Sequence, residues 1–339
     1  MEAFGRSRIF PLVMNAGNRV EGDGPIHGTT SCIFKTERNW TLHTSVESTA
    51  STRSTLKPYA ALLLGVLSIS TSAVFVKLSD APEAIVALYR LLFTVVLMTP
   101  WVFVHGRTEL KSLKRKDWLL ALVSGVFLAF HFLFWFTSLA YTSVASSVVL
   151  VAMQPLFAFI GTYVFFKERT TLQALLGAGV AMTGSVIIGW GDFRIGGMAL
   201  FGDLLALLGA AMVTGYWLIG QHVRKNVSLM VYTYVVYGAS SVTLFVYNAF
   251  NGASFTNYAA KDWWIFLALA VFPTLLGHTV LNWSLKWVGA SVVSVSILGE
   301  PIGASVLAYA VFGETLSVSQ WIGGGLILFG VYAFVRTKK

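Results

Sequence analysis

Charge is what this sequence has least of. Asp, Glu, Lys and Arg make up 12% of its 339 residues, about half the share usual in a soluble domain. A globular protein needs a charged, water-facing exterior, so an ordinary soluble fold is excluded. Acids are scarcer than bases, 15 against 24. The basic surplus still does not describe a nucleic-acid surface, because the bases fall in short loops between apolar runs. With one cysteine, Cys32, no internal disulfide can form, and cysteine usage says nothing about compartment. The sequence also lacks a GxxxxGK[ST] phosphate loop, an HExxH pair and a Ser/His/Asp cluster. ATP drive within this chain and metalloprotease or triad chemistry are therefore unsupported, and no catalytic, cofactor or metal site is expected. Apolar residues are abundant at 56% and aromatics at 14%, which excludes disorder through most of the chain. A multi-pass membrane protein is the remaining class.

A transmembrane helix needs about 20 mostly apolar residues. Ten such runs are present, at roughly 58–78, 83–104, 118–139, 142–166, 171–190, 198–222, 229–249, 263–287, 289–312 and 316–336. The closest cuts fall near Tyr141, Val288 and Thr315, where a pair of spans also reads as one helical hairpin. Fifteen bases lie on one side of this threading, among them Arg107, Lys111, Lys114, Arg115, Lys116, Arg224, Lys225 and Lys286; Lys77, Arg194 and Lys261 lie on the other. The positive-inside rule then places both termini in the cytoplasm.

Residues 1–57 are polar, with a Ser/Thr-rich stretch at 44–55, and their longest apolar run is broken by Pro11. That run is too short for a signal-peptide core. This extension is expected to be disordered, with 191–197 a linker between halves and 337–339 a basic tail.

Displaced by 146 residues, the chain matches itself. Ser138 falls on Ser284, Pro155 on Pro301, Tyr163 on Tyr309 and Glu168 on Glu314; Gly177, Gly179 and Gly184 fall on Gly323, Gly325 and Gly330. Eleven identities occur over 138–184 without a gap. Apolar bias does not align prolines, glutamates and glycines. The expected fold is an all-α membrane protein of ten transmembrane helices, built as two five-helix repeats over 58–190 and 198–336. An odd number of spans per repeat inverts the second repeat, a ground plan of secondary transporters.

The runs HFLFWFTSLAYTSVASSVVLVAMQPLF (131–157), GHTVLNWSL (277–285), SILGEPIGASVLAYAVFGE (296–314) and WIGGGLILFG (321–330) resemble the EamA-type branch of the drug/metabolite transporter superfamily. The resemblance covers residues 59–335. It implies a ten-helix inner-membrane carrier with a central cavity between its halves, and export coupled to protons.

Polar groups at bilayer depth need a reason. Glu300, near the middle of the ninth span and beside the helix kink expected at Pro301 (as at Pro155 in the first repeat), is a candidate proton or ion site; hydrogen bonding to a neighbouring helix is the alternative. Its repeat mate is Gln154-Pro155, where an amide replaces the acid. His278 and Asn282 share a helix face and can exchange protons or join helices. His131 lies one residue off the repeat position of His278 and reads as a satisfied core residue. Arg90 must find a carboxylate, a carbonyl or water: an anionic substrate group, or Asp203 as a structural partner. Tyr216, Trp217 and Trp135 could line a cavity. The glycines of the fifth and tenth spans suit scaffold or dimer contacts.

The leading expectation is a secondary carrier for small metabolites, amino-acid-like or aromatic compounds among them, acting as a monomer or homodimer in the bilayer without nucleic acid. An intramembrane lipid- or metabolite-modifying enzyme and a passive channel are the rivals. The first lacks a catalytic cluster in the sequence, the second a charged pore ring.

Overall fold

The computed structural model describes residues 30–36, 39–45, 50–142, 144–190, 197–313 and 317–337. The chain divides into two compact units, one reaching Ser54 and one beginning at Thr55. In the first, β1 (Thr30–Thr36) pairs antiparallel with β2 (Asn39–Ser45), Thr30 opposite Ser45 and Thr36 opposite Asn39. The stretch is polar on average, but Ile33, Phe34, Trp40 and its threonines are residue types that favour strands. The remaining residues before Ala50, the linker at 191–196 and the tail residues 338–339 lie outside the described residues.

Helical structure begins at Ala50. Among the described residues, nine helices are long and apolar enough to cross a membrane. They are α1 (Lys57–Leu78), α2 (Glu83–Ser112), α3 (Arg115–Tyr141), α4 (Ser146–Phe166), α5 (Leu172–Gly189), α6 (Gly197–Val223), α7 (Leu229–Phe250), α8 (Ala260–Ile297) and α10 (Val318–Arg336). The shorter α9 is Glu300–Phe312. The expected eighth and ninth spans are thus divided differently. The run continues past Val288 through Gly289, which breaks helical geometry at φ 77° and ψ 169°, and stops at Ile297. The cut near Thr315 falls outside the described residues.

Local chemistry sets several ends. Thr171 and Ser228 cap α5 and α7 by accepting from the backbone N–H of Ala174 and Val231, and Ser317 forms a capping box with Gln320 ahead of α10. Turns at Ala152–Met153 and at Leu298–Gly299 are followed by helix restarting at Gln154 and at Glu300. Pro155 and Pro301 then occupy the first helical turn, where a missing N–H costs nothing. Glu300 therefore starts a helix, instead of standing beside a mid-span kink as the sequence suggested. The same two helices end on left-handed residues, Lys167 at φ 57° and Gly313 at φ 69°.

Two seams hold the bundle. Helices α5 and α10 pack antiparallel, because Gly177 meets Gly330 and Phe334 while Gly184 meets Gly323 and Ile327. A Cβ on Gly177 would stand 2.7 Å from the Phe334 nitrogen, and one on Gly184 2.6 Å from the Gly323 oxygen. Only glycine lets these backbones approach so closely. Gly179 and Gly325 face open space instead. Helices α3 and α6 also run antiparallel, with Gly202 at Tyr141, Gly209 at His131 and Trp135, and Gly215 at Phe127.

Candidate functional site

At the centre, α1, α2, α3, α4, α6, α8 and α9 enclose a cavity lined by Ser72, Arg90, His131, Trp135, Gln154, Trp217, His278 and Glu300, with Ile69, Val151, Val213 and Ile297. Its water-accessible space is about 20 Å³, room for about one water molecule. No lining residue is more than 6% exposed. A roomier space, about 670 Å³ between α1, α9 and α10, is walled by Leu63, Leu67, Val306 and Leu328. Those side chains are half or more exposed, so that space is an outward-facing apolar groove with little polar chemistry.

Arg90 dominates the central cavity. Its Nε donates to Thr274 Oγ1 at 2.7 Å and its Nη1 to Ser72 Oγ at 2.8 Å. The guanidinium lies over the Phe132 ring at 4.2 Å, a cation–π contact that partly replaces lost hydration. Nη2 has no partner. The expected pairing with Asp203 does not occur. Asp203 accepts from Thr142 Oγ1 at 2.7 Å and Ser146 Oγ at 2.8 Å, where α3 ends and α4 begins. Those hydroxyls sit beside Asp203, whereas Arg90 is seated deep among α1, α3 and α8.

Pro273 explains part of that seating. Lacking an N–H, it widens α8 into π-helical turns over Ala270–His278. Within them Thr274 Oγ1 donates to the Leu269 carbonyl and stands as acceptor for Arg90. His278, at the end of the wide turns, stacks on the Trp217 indole at 5.5 Å and 12°. Its ring centre is 6.3 Å from that of His131. Asn282, one turn on, donates to Tyr216 Oη and to the His278 carbonyl. It joins helices, as Tyr216 does, and neither lines the cavity.

Two first-half residues, Gln154 and His131, are tied down. Gln154 Oε1 accepts from Trp217 Nε1 at 3.1 Å, and His131 Nδ1 bonds the Gly209 carbonyl at 2.9 Å. The second-half residues are freer. His278 Nδ1 lacks a partner; in the first half, Trp135 Nε1 and Arg90 Nη2 also do. Glu300 is buried and its backbone carbonyl accepts from Ser70 Oγ at 3.3 Å. Its carboxylate makes no ion pair within 4.0 Å among the described residues. No group of three His, Cys, Asp or Glu among the described residues could hold a metal ion.

Sequence reasoning missed Thr274 and Phe132 and left Ser72 open. A threonine following an intraspan proline was the available signal for the first. A phenylalanine one residue from His131 carried none.

Residues 56–190 and 200–336 each match the EamA-like transporter family. The chain belongs to that family. Two similar relatives carry transporter names. The uncharacterized transporter YyaM of Bacillus subtilis is 27% identical over 249 residues, spanning 71% of this chain and 80% of the relative. An uncharacterized transporter of Archaeoglobus fulgidus is 25% identical over 272 residues, spanning 80% and 94%. A solved crystal structure superposes with a TM-score of 0.68 at 17% identity, covering 84% of this chain and 97% of the other, which shows a shared fold. This EamA-like chain is a multi-pass membrane transporter. Its central cavity draws Arg90, His131, Trp135 and Gln154 from the first matched segment and Trp217, His278 and Glu300 from the second.

Proposed function

We propose that this transporter is a secondary carrier that exports small metabolites, amino-acid-like or aromatic compounds among them, across the cytoplasmic membrane by alternating access coupled to protons. The observation that carries the reading is a buried cavity to which both matched segments contribute charged and titratable side chains, Arg90 and His131 from the first and His278 and Glu300 from the second. Polar side chains are retained at such depth where solute or ions pass.

Repeat-related geometry supports ten spans arranged as inverted halves. The turns at 152–153 and 298–299, and the left-handed residues Lys167 and Gly313, are each 146 positions apart. The contacts Gly177–Gly330 and Gly184–Gly323 exchange with each other under the same displacement. Antiparallel packing of repeat mates is what inversion requires. In this reading the break at Gly289 divides two spans, the cavity residues are the solute and proton site, and the closed cavity, with room for about one water, is the solute-free stage of the cycle. The distribution of bases supports both termini lying in the cytoplasm.

The test is solute counterflow in proteoliposomes, with solutes chosen by surveying media from cells with and without the gene. Saturable counterflow is expected. Flux that rises linearly with concentration and shows no counterflow would indicate a channel, and turnover of a lipid without a gradient an enzyme.

A further inference from the structure

Three nitrogens around the central cavity stand buried without a partner: Arg90 Nη2, Trp135 Nε1 and His278 Nδ1. The first two can only donate, and the third donates in one of its tautomers. An unpaired buried donor is destabilising, so three around one cavity describe a site made to receive acceptors. A water molecule has two acceptor positions and no charge. Arg90, by contrast, keeps its positive charge, and its two bonded neighbours, Ser72 and Thr274, are neutral hydroxyls. Glu300 lines the same cavity but forms no ion pair with it within 4.0 Å.

We infer that the cavity, once the halves part and widen it beyond the single water it now admits, binds the carboxylate of a monoanionic organic solute, with one oxygen on Arg90 Nη2 and with Trp135 Nε1 and His278 Nδ1 as further donors. A single guanidinium balances one negative charge, which suits a carboxylate better than a phosphate dianion. The Phe132 ring covers one face of the guanidinium, so the anion meets its free edge. The stacked Trp217–His278 pair, together with Trp135, supplies flat walls for an aromatic body. Glu300, carrying its own negative charge, opposes this binding; a proton on Glu300 removes the repulsion. Arg90, His131 and His278 are the other titratable groups lining the cavity. The inference rests on the carrier reading for treating the cavity as the solute site.

The test uses the purified full chain and labelled phenylacetate, with unlabelled phenylacetate, phenylacetamide and phenethylamine as competitors of one shape and three charges. Phenylacetate is expected to compete at least about tenfold better than the amide, the scale of a charge-assisted hydrogen bond, and the amine not at all. Arg90→Gln abolishes the preference. Trp135→Phe, which keeps the ring and removes one donor, weakens phenylacetate binding severalfold while leaving the folded yield unchanged. Glu300→Gln tightens it. Equal competition by the amide, better competition by the amine, or an unaltered preference in a folded Arg90→Gln or Trp135→Phe protein overturns the inference. Counterflow of another solute without carboxylate preference would sink the inference and leave the carrier standing. Arg90-dependent binding without counterflow of any solute would do the reverse.

Discussion

The two halves of the chain bring matching residues to one cavity and treat them oppositely. Gln154 and Glu300 are repeat mates, each starting a helix with proline next in line. Gln154 is held by the Trp217 indole N–H at 3.1 Å, while the Glu300 carboxylate has no ion-pair partner among the described residues. Likewise His131 bonds the Gly209 carbonyl and His278 leaves Nδ1 unpaired. A group whose bonds are already made serves the scaffold. A buried group whose bonds are unmade is available to something that arrives. The first half thus frames the site, apart from Arg90 and Trp135, and the second half is the one poised to respond.

The harshest way to break this comparison is to separate the halves at their glycine seam. Gly330→Leu would drive a side chain into the backbone of Gly177 and Ala181, an overpacking beyond the usual ~1–3 kcal/mol, whereas Gly325→Leu points into open space. Monodisperse protein on fluorescence-detected size exclusion should be lost in the first and retained in the second. Equal behaviour would mean that the seam does not hold the bundle.

Next is the pair at the helix starts. Glu300→Gln should reduce proton-driven flux by about tenfold or more, the effect of about 1.4 kcal/mol, with little change in expression. Gln154→Leu should instead lower thermal stability by roughly 1 kcal/mol through the bond lost from Trp217, with flux in folded protein largely kept. Unchanged flux and pH response in Glu300→Gln would remove that residue from the mechanism.

The histidines give a smaller contrast. His131→Phe loses one interhelical bond, worth about 0.6 kcal/mol on average in membranes, and should register mainly as a lower melting midpoint. His278→Phe breaks no bond at Nδ1 and should register in solute affinity. Both variants shifting stability alone would erase the distinction between halves. The smallest effect should come from removing residues 1–54, which form their own compact unit. Membrane insertion should be unaltered, and loss of folded protein from the membrane fraction would contradict that.

The self-match and the run lengths were legible in the sequence because both are local: composition over about 20 residues decides insertion, and aligned Gly, Pro and Glu expose a repeat. Gln154, Glu300, His131, His278, Trp135 and Arg90 were legible as candidates for the same reason, since polar groups are conspicuous in apolar runs. Helix division was less so. Gly289 and the turn at Leu298–Gly299 shift the eighth and ninth segments by backbone geometry that composition does not record.

What the sequence by itself determined is therefore a membrane bundle in two related parts, with a short roster of buried polar residues. Which of them meet was decided only in three dimensions. Arg90 and Asp203 are opposite charges that look like partners along the chain, yet nearby hydroxyls satisfy Asp203, while the widened turn at Pro273 and the Phe132 ring hold Arg90 in the cavity. Hydrophobicity is a sum over a segment, but pairing depends on directions and distances between segments, and these exist only once the helices are packed.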